Sequence, residues 1–312
     1  MLTIQILTKN NAKTIVKTLE SIENLEAAVV VGDLGSDDIT IDLCETAGIT
    51  VERLGDIGRS AARNRLARDG WNMALEPWEA VILGHALIDS NWLEGCCSYV
   101  SILNQKTITK ELRFWTPRMR FLNPTFETLA AQTDRESGVI LGVHGQRNPE
   151  EDLQLIERWK HDFPLSAQPY YYQSCVELSQ GKYEAFLKTA NHFLFMDSEM
   201  SMSTIMTRYY MAYVYLTHRK KARPALQNLN LCLCARPLMA EFWCLLGDVY
   251  YHLLREFNNA IEFYENAKIL GGRRLKTDKW PMDLTKYKEY PNKMIESCQN
   301  IINASSIYYD IT

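Results

Sequence analysis

Short apolar runs alternate with helically spaced apolar residues over positions 1–90. The apolar runs read as strands at residues 4–7, 29–31, 49–51 and 80–83. Between the first two runs, Ile15, Leu19 and Ile22 recur at the spacing of a helix. Ser60 is a typical cap for a further helix that carries Leu66. Strands separated by helices of this length predict right-handed crossovers and a mostly parallel, Rossmann-like sheet buried on both faces.

Beyond Pro149 the apolar pattern becomes helical and remains so. The acidic triplet at residues 150–152 lies at the positive end of the first such helix. Three helix pairs follow, at residues 170–185, 209–237 and 243–267. A last helix around Met294 is predicted to cap the series. The pattern therefore predicts an all-α second domain.

The third helix pair has the clearest internal spacing. Its marker residues are Trp243, Leu246, Gly247, Tyr250, Ala260, Phe263, Tyr264 and Ala267. This spacing resembles a tetratricopeptide repeat with one residue inserted in its turn, and the two earlier pairs are weaker copies. We interpret the aromatic side chains as core packing. About three repeats are the minimum that buries a continuous core, and the resemblance implies a concave surface suited to a protein or peptide partner.

Residues 29–40 form the stretch around which the first domain is organised. They read Val-Val-Val-Gly-Asp-Leu-Gly-Ser-Asp-Asp-Ile-Thr, a buried strand that ends in Asp33 and a tight turn. This stretch resembles the Val-Asp-x-Gly-Ser-x-Asp-x-Thr motif of family 2 glycosyltransferases, which are nucleotide-sugar transferases with a GT-A fold. Residues 3–10 are similar to the family's opening strand and Lys-Asn loop, and residues 59–64 to its Ala-Arg-Asn segment.

The resemblance implies a nucleotide pocket at the carboxyl ends of the strands, where ligands bind in open α/β sheets. In that family the residue at Asp33 accepts a hydrogen bond from the base, and the loop of Thr8, Lys9 and Asn10 walls the base pocket. Arg63 is then placed to contact the diphosphate. The alternatives are that Asp33 caps its own turn or the next helix, and that Arg63 is a solvated helix arginine.

The family's metal motif is missing at the place where the fourth predicted strand ends. The family has Asp-x-Asp there, which holds Mn²⁺ or Mg²⁺ against the diphosphate. Residues 80–83 are followed here by Gly84, His85 and Ala86, and Asp89 is out of register. A lone imidazole is a poor ligand for a hard cation, so we expect no metal site and a direct contact between His85 and phosphate.

Two acceptor-side residues follow from the same resemblance. Glu127 falls where the family often has His-Glu and is the candidate general base, although Phe126 replaces the histidine. His144, followed by Gly145, resembles the family's late His-x-Gly motif and is a further candidate for the nucleotide site. The alternative for His144 is a structural role.

Composition narrows the classes of partner. The 312 residues predict two domains, at 1–160 and 161–312, with 46% hydrophobic residues, 23% charged residues and a net charge of −4. Basic residues are scattered, so nucleic acid is not an expected partner. No apolar run approaches the ~18–20 residues of a membrane span. Residues 1–4 lead directly into the first predicted strand, which leaves no room for a signal peptide and predicts a cytoplasmic protein.

Eight cysteines include the pairs Cys96-Cys97 and Cys232-x-Cys234, without the spacing of a zinc site. We interpret them as reduced thiols of the core. The oligomeric state stays open.

Two functions from different classes are consistent with the sequence. In the first, a nucleotide sugar, with a UDP-sugar favoured, binds above Asp33, and Glu127 activates a protein, peptide or glycan acceptor. In the alternative, the first domain is a catalytically inactive, transferase-like scaffold, and the helical repeats bind a partner protein. The missing metal carboxylates favour the second function, whereas Asp33 and residues 62–64 favour the first. We favour a transferase-like protein and leave its catalytic activity open.

Overall fold

The structure is a computed structural model that describes residues 2–83, 97–104, 107–116, 119, 121, 136–143, 145, 148–197, 199–274 and 278–309. The chain divides into two compact units, Met1–Leu155 and Ile156–Thr312. The predicted division followed residue 160. Each unit is described by itself.

The first unit begins as an α/β structure. Its opening elements are β1 (Leu2–Thr8), α1 (Ile15–Glu20), β2 (Ala28–Asp33), α2 (Thr40–Thr46), β3 (Val51–Arg53), α3 (Arg59–Leu66) and β4 (Trp71–Leu75). The four strands are parallel and lie in the order β3-β2-β1-β4. Their apolar side chains, with those of α1 and α2, form the main core of this unit. The predicted alternation of strands and helices is confirmed here, but α3 is capped by Gly58 and not by Ser60.

The sheet continues with strands of mixed direction. These are β5 (Glu79–Leu83), β6 (Cys97–Asn104), β7 (Thr107–Trp115) and β8 (Glu136–Val143). The order after β4 is β7-β6-β8-β5, with β7 antiparallel to both β4 and β6 and with β5 antiparallel to β8. Among the pairs that the described residues of β5 to β8 form, only that of β6 with β8 is parallel. The sheet is therefore parallel in its first half, as predicted, and of mixed direction in its second half.

The fourth parallel strand is not the one that the sequence predicted. Residues 79–83 lie at the far end of the strand order, and β4 takes the place beside β1. The apolar pattern of β4 is interrupted by Asn72, which is fully buried. Its side-chain oxygen accepts a hydrogen bond of 3.0 Å from Gln5 Nε2 on β1. Because this polar residue is satisfied from the neighbouring strand, β4 is a buried strand without a continuous apolar run.

The second unit is helical. After α4 (Pro149–Asp162) come α5 (Gln168–Ser179), α6 (Tyr183–Met196), α7 (Met202–Thr217), α8 (Ala222–Ala235), α9 (Ala240–Val249), α10 (Phe257–Gly271) and α11 (Glu289–Tyr309). Three short elements interrupt this series, a π-helix at Tyr250–Leu254, a two-residue strand β9 (Met282–Asp283) and a 3₁₀ turn at Leu284–Tyr287. The prediction that the second domain is helical is confirmed, although β9 is a short strand that the apolar pattern did not predict.

Consecutive helices of this unit form pairs. Helix α5 packs on α6, α7 on α8, and α9 on α10, while α6 with α7 and α8 with α9 join the pairs into one array. One apolar cluster connects the first and second pairs through Phe186 and Met211, and another connects the second and third through Leu229 and Leu245. Helix α11 packs on α10, as the predicted last helix should.

Two local features of the third pair have clear physical causes. A Cβ on Gly247 would lie 2.6 Å from Tyr264 Cε1, so only glycine allows α9 and α10 to approach this closely. The residue inserted in the predicted repeat coincides with the π-helix, a wider turn that accommodates one extra residue. Arg255 ends that turn in the left-handed conformation, with φ of 61°.

The structure describes the side chains of six cysteines, and all six are free thiols. Four are buried, namely Cys44, Cys232, Cys244 and Cys298. Burial raises the pKa of Cys44 to about 11, which keeps this thiol protonated and unreactive. Cys234 is exposed, so the expectation of a core thiol is wrong at that position.

None of the helices in the described ranges combines the length and the apolar character that crossing a membrane requires.

Candidate functional site

Asp33 lies at the carboxyl end of β2, as predicted, and is almost completely buried. Its carboxylate accepts hydrogen bonds from the N–H groups of Gly35 at 3.1 Å and Ser36 at 3.1 Å. Gly35 has φ of 98°, a conformation that the tight turn requires and that glycine adopts without strain. Asp33 therefore caps its own turn, as one of the two interpretations of this residue predicted. The contact between Asp33 and a base stays a prediction.

The loop of Thr8, Lys9 and Asn10 is held by its own neighbours. The Thr8 hydroxyl and the Lys9 N–H both donate to Asn11 Oδ1, at 3.0 and 2.9 Å. Thr8 is buried at the end of β1, directly opposite Asp33 on β2. These two residues therefore lie side by side at the carboxyl edge, where the resemblance places a base pocket.

Asn10 joins this loop to the loop after β2. Its backbone is left-handed, with φ of 53°, a conformation that asparagine tolerates better than most residues. Its N–H donates to Ser36 Oγ at 3.0 Å, and its Oδ1 accepts from the Asp37 N–H at 2.9 Å. The two loops are therefore preorganised by polar contacts with each other.

Asp38 provides a second connection between the same loops. Its carboxylate accepts from the Thr40 N–H at 2.9 Å and from the Ala12 N–H at 3.3 Å. Burial by itself would raise the pKa of Asp38, but these hydrogen bonds and that of the Thr40 hydroxyl outweigh it and lower the pKa. The carboxylate thus remains charged and holds the start of α2.

A cluster of buried ions lies at the end of β4. Glu76, immediately after the strand, accepts from Arg59 Nη2 at 2.6 Å and from Arg63 Nη2 at 2.9 Å. Arg113 of β7 contacts Glu79 at 3.0 Å and Glu76 at 3.5 Å. We call these five residues the ion cluster. Neither glutamate is among the site residues predicted from the sequence, where their only local signal is a pair of acids between two apolar runs.

Arg63 is enclosed within this cluster. Its side chain is fully buried, and Nη1 donates to the Gln5 carbonyl at 2.5 Å. It is therefore not a solvated helix arginine. A contact with a diphosphate, as the resemblance implied, does not fit this conformation, because it would require the ion pair with Glu76 to open and leave that carboxylate buried.

Glu79 is the member of the ion cluster whose pKa lies well above the usual value of a glutamate. Burial raises its pKa to about 7, although the charge of Arg113 lowers it and that of Glu76 raises it further. Near neutral pH this carboxyl group therefore exchanges between its charged and neutral forms.

Three predicted site residues, His85, Glu127 and His144, lie outside the described residues, as do Gly84 and Ala86. The position after the fourth parallel strand is occupied by Glu76, so Gly84 and Ala86 do not follow that strand as the sequence analysis assumed. Within the described residues, no group of three or more His, Cys, Asp and Glu side chains is arranged to hold a metal ion.

A row of half-buried tyrosines connects the helix pairs of the second unit. Burial raises the pKa of Tyr210 to about 12, with smaller contributions from Cys175 of α5 and Glu241 of α9. The pKa of Tyr209 is also raised, first by burial and then by the nearby charges of Tyr210 and Glu241. The ring centroids of Tyr209 and Tyr210 lie 5.4 Å apart, and both rings pack on the apolar cluster that contains Ile205 and Phe242. Tyr213 lies one turn beyond Tyr209 on the same face of α7 and is 42% exposed.

We call the residues Tyr171, Cys175, Tyr209, Tyr210 and Tyr213 the tyrosine stripe. It follows the first helix of two successive pairs, and α7 also contacts α9 directly. The sequence analysis assigned aromatic residues of the repeats to core packing. That assignment holds for Tyr264, which is fully buried, but not for Tyr213.

An acidic stripe of buried side chains lies on α9, which contacts α7. Glu241, Cys244 and Asp248 are spaced so that they lie on one face of the helix. Burial raises the pKa of Asp248, against the lowering effect of hydrogen bonds from Tyr290 and Tyr264 at 2.6 and 2.7 Å. Burial also raises the pKa of Glu241. Both carboxylates are buried and already accept hydrogen bonds, Glu241 from the Asp283 N–H and the Tyr287 hydroxyl, and Asp248 from the two tyrosine hydroxyls.

No family model and no curated protein matches this sequence. Among solved structures, the chain is similar to MamA from Desulfovibrio magneticus RS-1, with 19% identity and a TM-score of 0.37 over 50% of this chain and 86% of that one. It is similar to the Sgt2 TPR domain from Aspergillus fumigatus, with 12% identity and a TM-score of 0.35 over 45% of this chain and 81% of that one.

A third similar structure is the first TPR of Spaghetti (RPAP3) bound to the HSP90 peptide SRMEEVD. It shares 14% identity and a TM-score of 0.35 over 44% of this chain and 93% of that one. TM-scores of this size are too low for any of the three to carry an argument about this chain.

Proposed function

We propose that this chain is a protein-binding scaffold whose helical unit holds a partner segment along the tyrosine stripe. The observation that carries the proposal is the row of half-buried tyrosines on α5 and α7, with Tyr213 42% exposed. A tyrosine ring gives a large contact area and a polar hydroxyl at a low cost in conformational entropy, which is why this residue is enriched at interfaces.

The charge of the surface fits an uncharged or basic partner segment. Glu241 and Asp248 lie on α9, which contacts α7, and the whole chain has a net charge of −4. Because this charge is negative, an acidic segment would be repelled, whereas an uncharged or basic segment would not.

The test is a peptide selection on the immobilised full chain, followed by affinity measurements on the selected peptide. We expect Tyr213→Ala to weaken binding by about 1–3 kcal/mol, the usual size of an interface hot spot. The matched control is Phe195→Ala, because Phe195 is 86% exposed on α6 and lies outside the stripe. Equal effects of the two variants would contradict the proposal.

A second candidate function is the binding of a nucleoside diphosphate, with or without its sugar, at the carboxyl edge of the first unit. The parallel order β3-β2-β1-β4, with Asp33 at the end of β2, supports it. In this proposal a UDP-sugar remains the favoured ligand, and His85, Glu127 and His144 remain candidates for its contacts and for catalysis. Calorimetry with UDP, GDP and their sugars tests it, and no binding at millimolar ligand would rule it out.

A further inference from the structure

The chain returns to α9 after the third helix pair ends. Arg274, just beyond α10, has a buried side chain that donates to Asp278 Oδ2 at 2.9 Å and to the Trp280 carbonyl at 2.6 Å. Arg236 donates to the same carboxylate of Asp278 at 2.5 Å, and its guanidinium lies over the Trp280 ring. These contacts fix the start of the returning segment.

The segment then supplies hydrogen-bond donors to Glu241. The N–H of Asp283 donates to Oε1 at 2.8 Å, and the hydroxyl of Tyr287 donates to Oε2 at 3.0 Å. Arg274 lies 3.6 Å from Oε1, at the edge of ion-pair distance. Both oxygens of this buried carboxylate are therefore satisfied in part by residues 283–287.

The same pattern continues along the helix. Cys244 Sγ donates to the Lys286 carbonyl at 3.4 Å, and the Tyr290 hydroxyl donates to Asp248 Oδ1 at 2.6 Å. The contacts on Glu241, Cys244 and Asp248 are made in order by residues 283, 286 and 290. The segment thus runs beside the acidic stripe in the direction of α9. We call residues 283–290 the covering segment.

The covering segment has the features of a bound peptide. It begins with Asp283 at the end of β9, continues through one 3₁₀ turn and ends at the start of α11, and its side chains are half-buried or exposed. The rings of Tyr287 and Tyr290 pack against an apolar cluster of Ala240, Cys244 and Ala267. Its donors to the stripe are hydroxyl and N–H groups, which lose less hydration on burial than an ammonium group does.

We propose that the covering segment is an internal ligand of the acidic stripe, and that a partner segment with two tyrosines three positions apart binds the stripe by displacing it. The proposal rests on the proposed function of the helical unit, since it names the partner chemistry and the contact that regulates access. The chain's own residues Tyr287 and Tyr290 show the recognised pattern: two rings on the apolar cluster and two hydroxyls on the carboxylates.

The test uses the full chain and a labelled synthetic peptide that corresponds to residues 281–292. In the double variant Tyr287→Phe/Tyr290→Phe, the covering segment loses both hydroxyl donors but keeps its rings. We expect this variant to bind the peptide about tenfold more tightly than the original chain does, which corresponds to the loss of two ordinary hydrogen bonds. A peptide with phenylalanine in place of both tyrosines should lose this gain.

The matched control is Tyr183→Phe on α6, outside both stripes, which should leave peptide affinity unchanged. Equal peptide affinity for the original chain and the double variant would overturn the proposal. Because the probe is the chain's own segment, this result is separate from the effect of Tyr213→Ala on a selected partner, so the two proposals can fail independently.

Hydrogen exchange of the unmodified chain provides a second measurement that does not depend on the folding of a variant. If the segment detaches locally, amides of residues 283–290 should exchange at least about tenfold faster than those of α9. Exchange of both regions at one rate would show that the segment leaves only when the unit unfolds, and this would contradict the proposal.

Discussion

The ion cluster of the first unit and the acidic stripe of the second satisfy buried carboxylates in different ways. Glu76 and Glu79 are paired with guanidinium groups on α3 and β7, elements that the sheet itself holds in place. Glu241 and Asp248 accept hydrogen bonds from neutral groups, most of them in the covering segment, and Arg274 lies 3.6 Å from Glu241. A buried carboxylate can thus be fixed within a core, when its donors belong to the sheet and its helices. It can also belong to a binding site, when its donors lie on a segment that can be replaced.

The largest effect should come from breaking the ion cluster. Glu76→Ala leaves Arg59 and Arg63 buried without their shared carboxylate, so the free energy of unfolding should fall by about 3–5 kcal/mol. Urea denaturation followed by tryptophan fluorescence measures this. The control is Glu52→Ala, which breaks the more exposed pair with Arg68 and should cost less than about 1 kcal/mol. Similar losses in both variants would mean that the cluster is no more than a set of surface pairs.

The pH dependence of stability should depend on Glu79. Its pKa is raised to about 7 in the folded chain, above its value in the unfolded chain, so the folded state holds the extra proton. The resulting stability is fully present below about pH 4.3 and is lost as the pH rises through 7. Between pH 5 and 8 the original chain should therefore lose about 1–3 kcal/mol relative to Glu79→Gln. Parallel pH profiles for the two proteins would show that Glu79 does not titrate in this range.

Asp33→Ala separates the two interpretations of the carboxyl edge. Loss of the turn hydrogen bonds should lower the free energy of unfolding by about 1 kcal/mol. If the edge also binds a nucleotide through this carboxylate, affinity for UDP should fall by roughly 1.5–3 kcal/mol. Thermal denaturation and calorimetry measure the two effects. Unchanged affinity in a chain that does bind UDP would assign Asp33 to the turn alone.

The smallest expected effect is that of a divalent metal. We propose that any affinity for UDP measured in EDTA is within about twofold of that in Mn²⁺, since hard cations require several oxygen ligands and the described residues bring no such group together. Calorimetry under both conditions is the measurement. A loss in EDTA on the order of 100-fold would indicate carboxylates in the segments outside the described residues.

Local patterns predicted most of the elements. The apolar spacing of Ile15, Leu19 and Ile22 gave α1, and the same reasoning gave the paired helices of the second unit. It failed at β4, because Asn72 interrupts the apolar run and is satisfied by Gln5, which is 67 residues away. No local pattern contains that partner.

The candidate sites were predictable only where their contacts are local. Asp33 was placed correctly at the end of β2, and the N–H groups that occupy it lie two and three residues away. The partner of Arg63 is 13 residues away, and the contacts of Tyr287 and Tyr290 with α9 span 46 and 42 residues. Apolar periodicity carries no information on such pairs, so the ion cluster and the covering segment could not be predicted.

The central claim is that the helical unit holds a partner segment on the tyrosine stripe. The most direct measurement is hydrogen exchange of the full chain with and without a selected peptide. The account predicts slower exchange in α5 and α7 around Tyr171, Tyr209 and Tyr213, and unchanged exchange in β1 and β2 of the first unit. Protection confined to the loops after β1 and β2, with α5 and α7 unaffected, would contradict it.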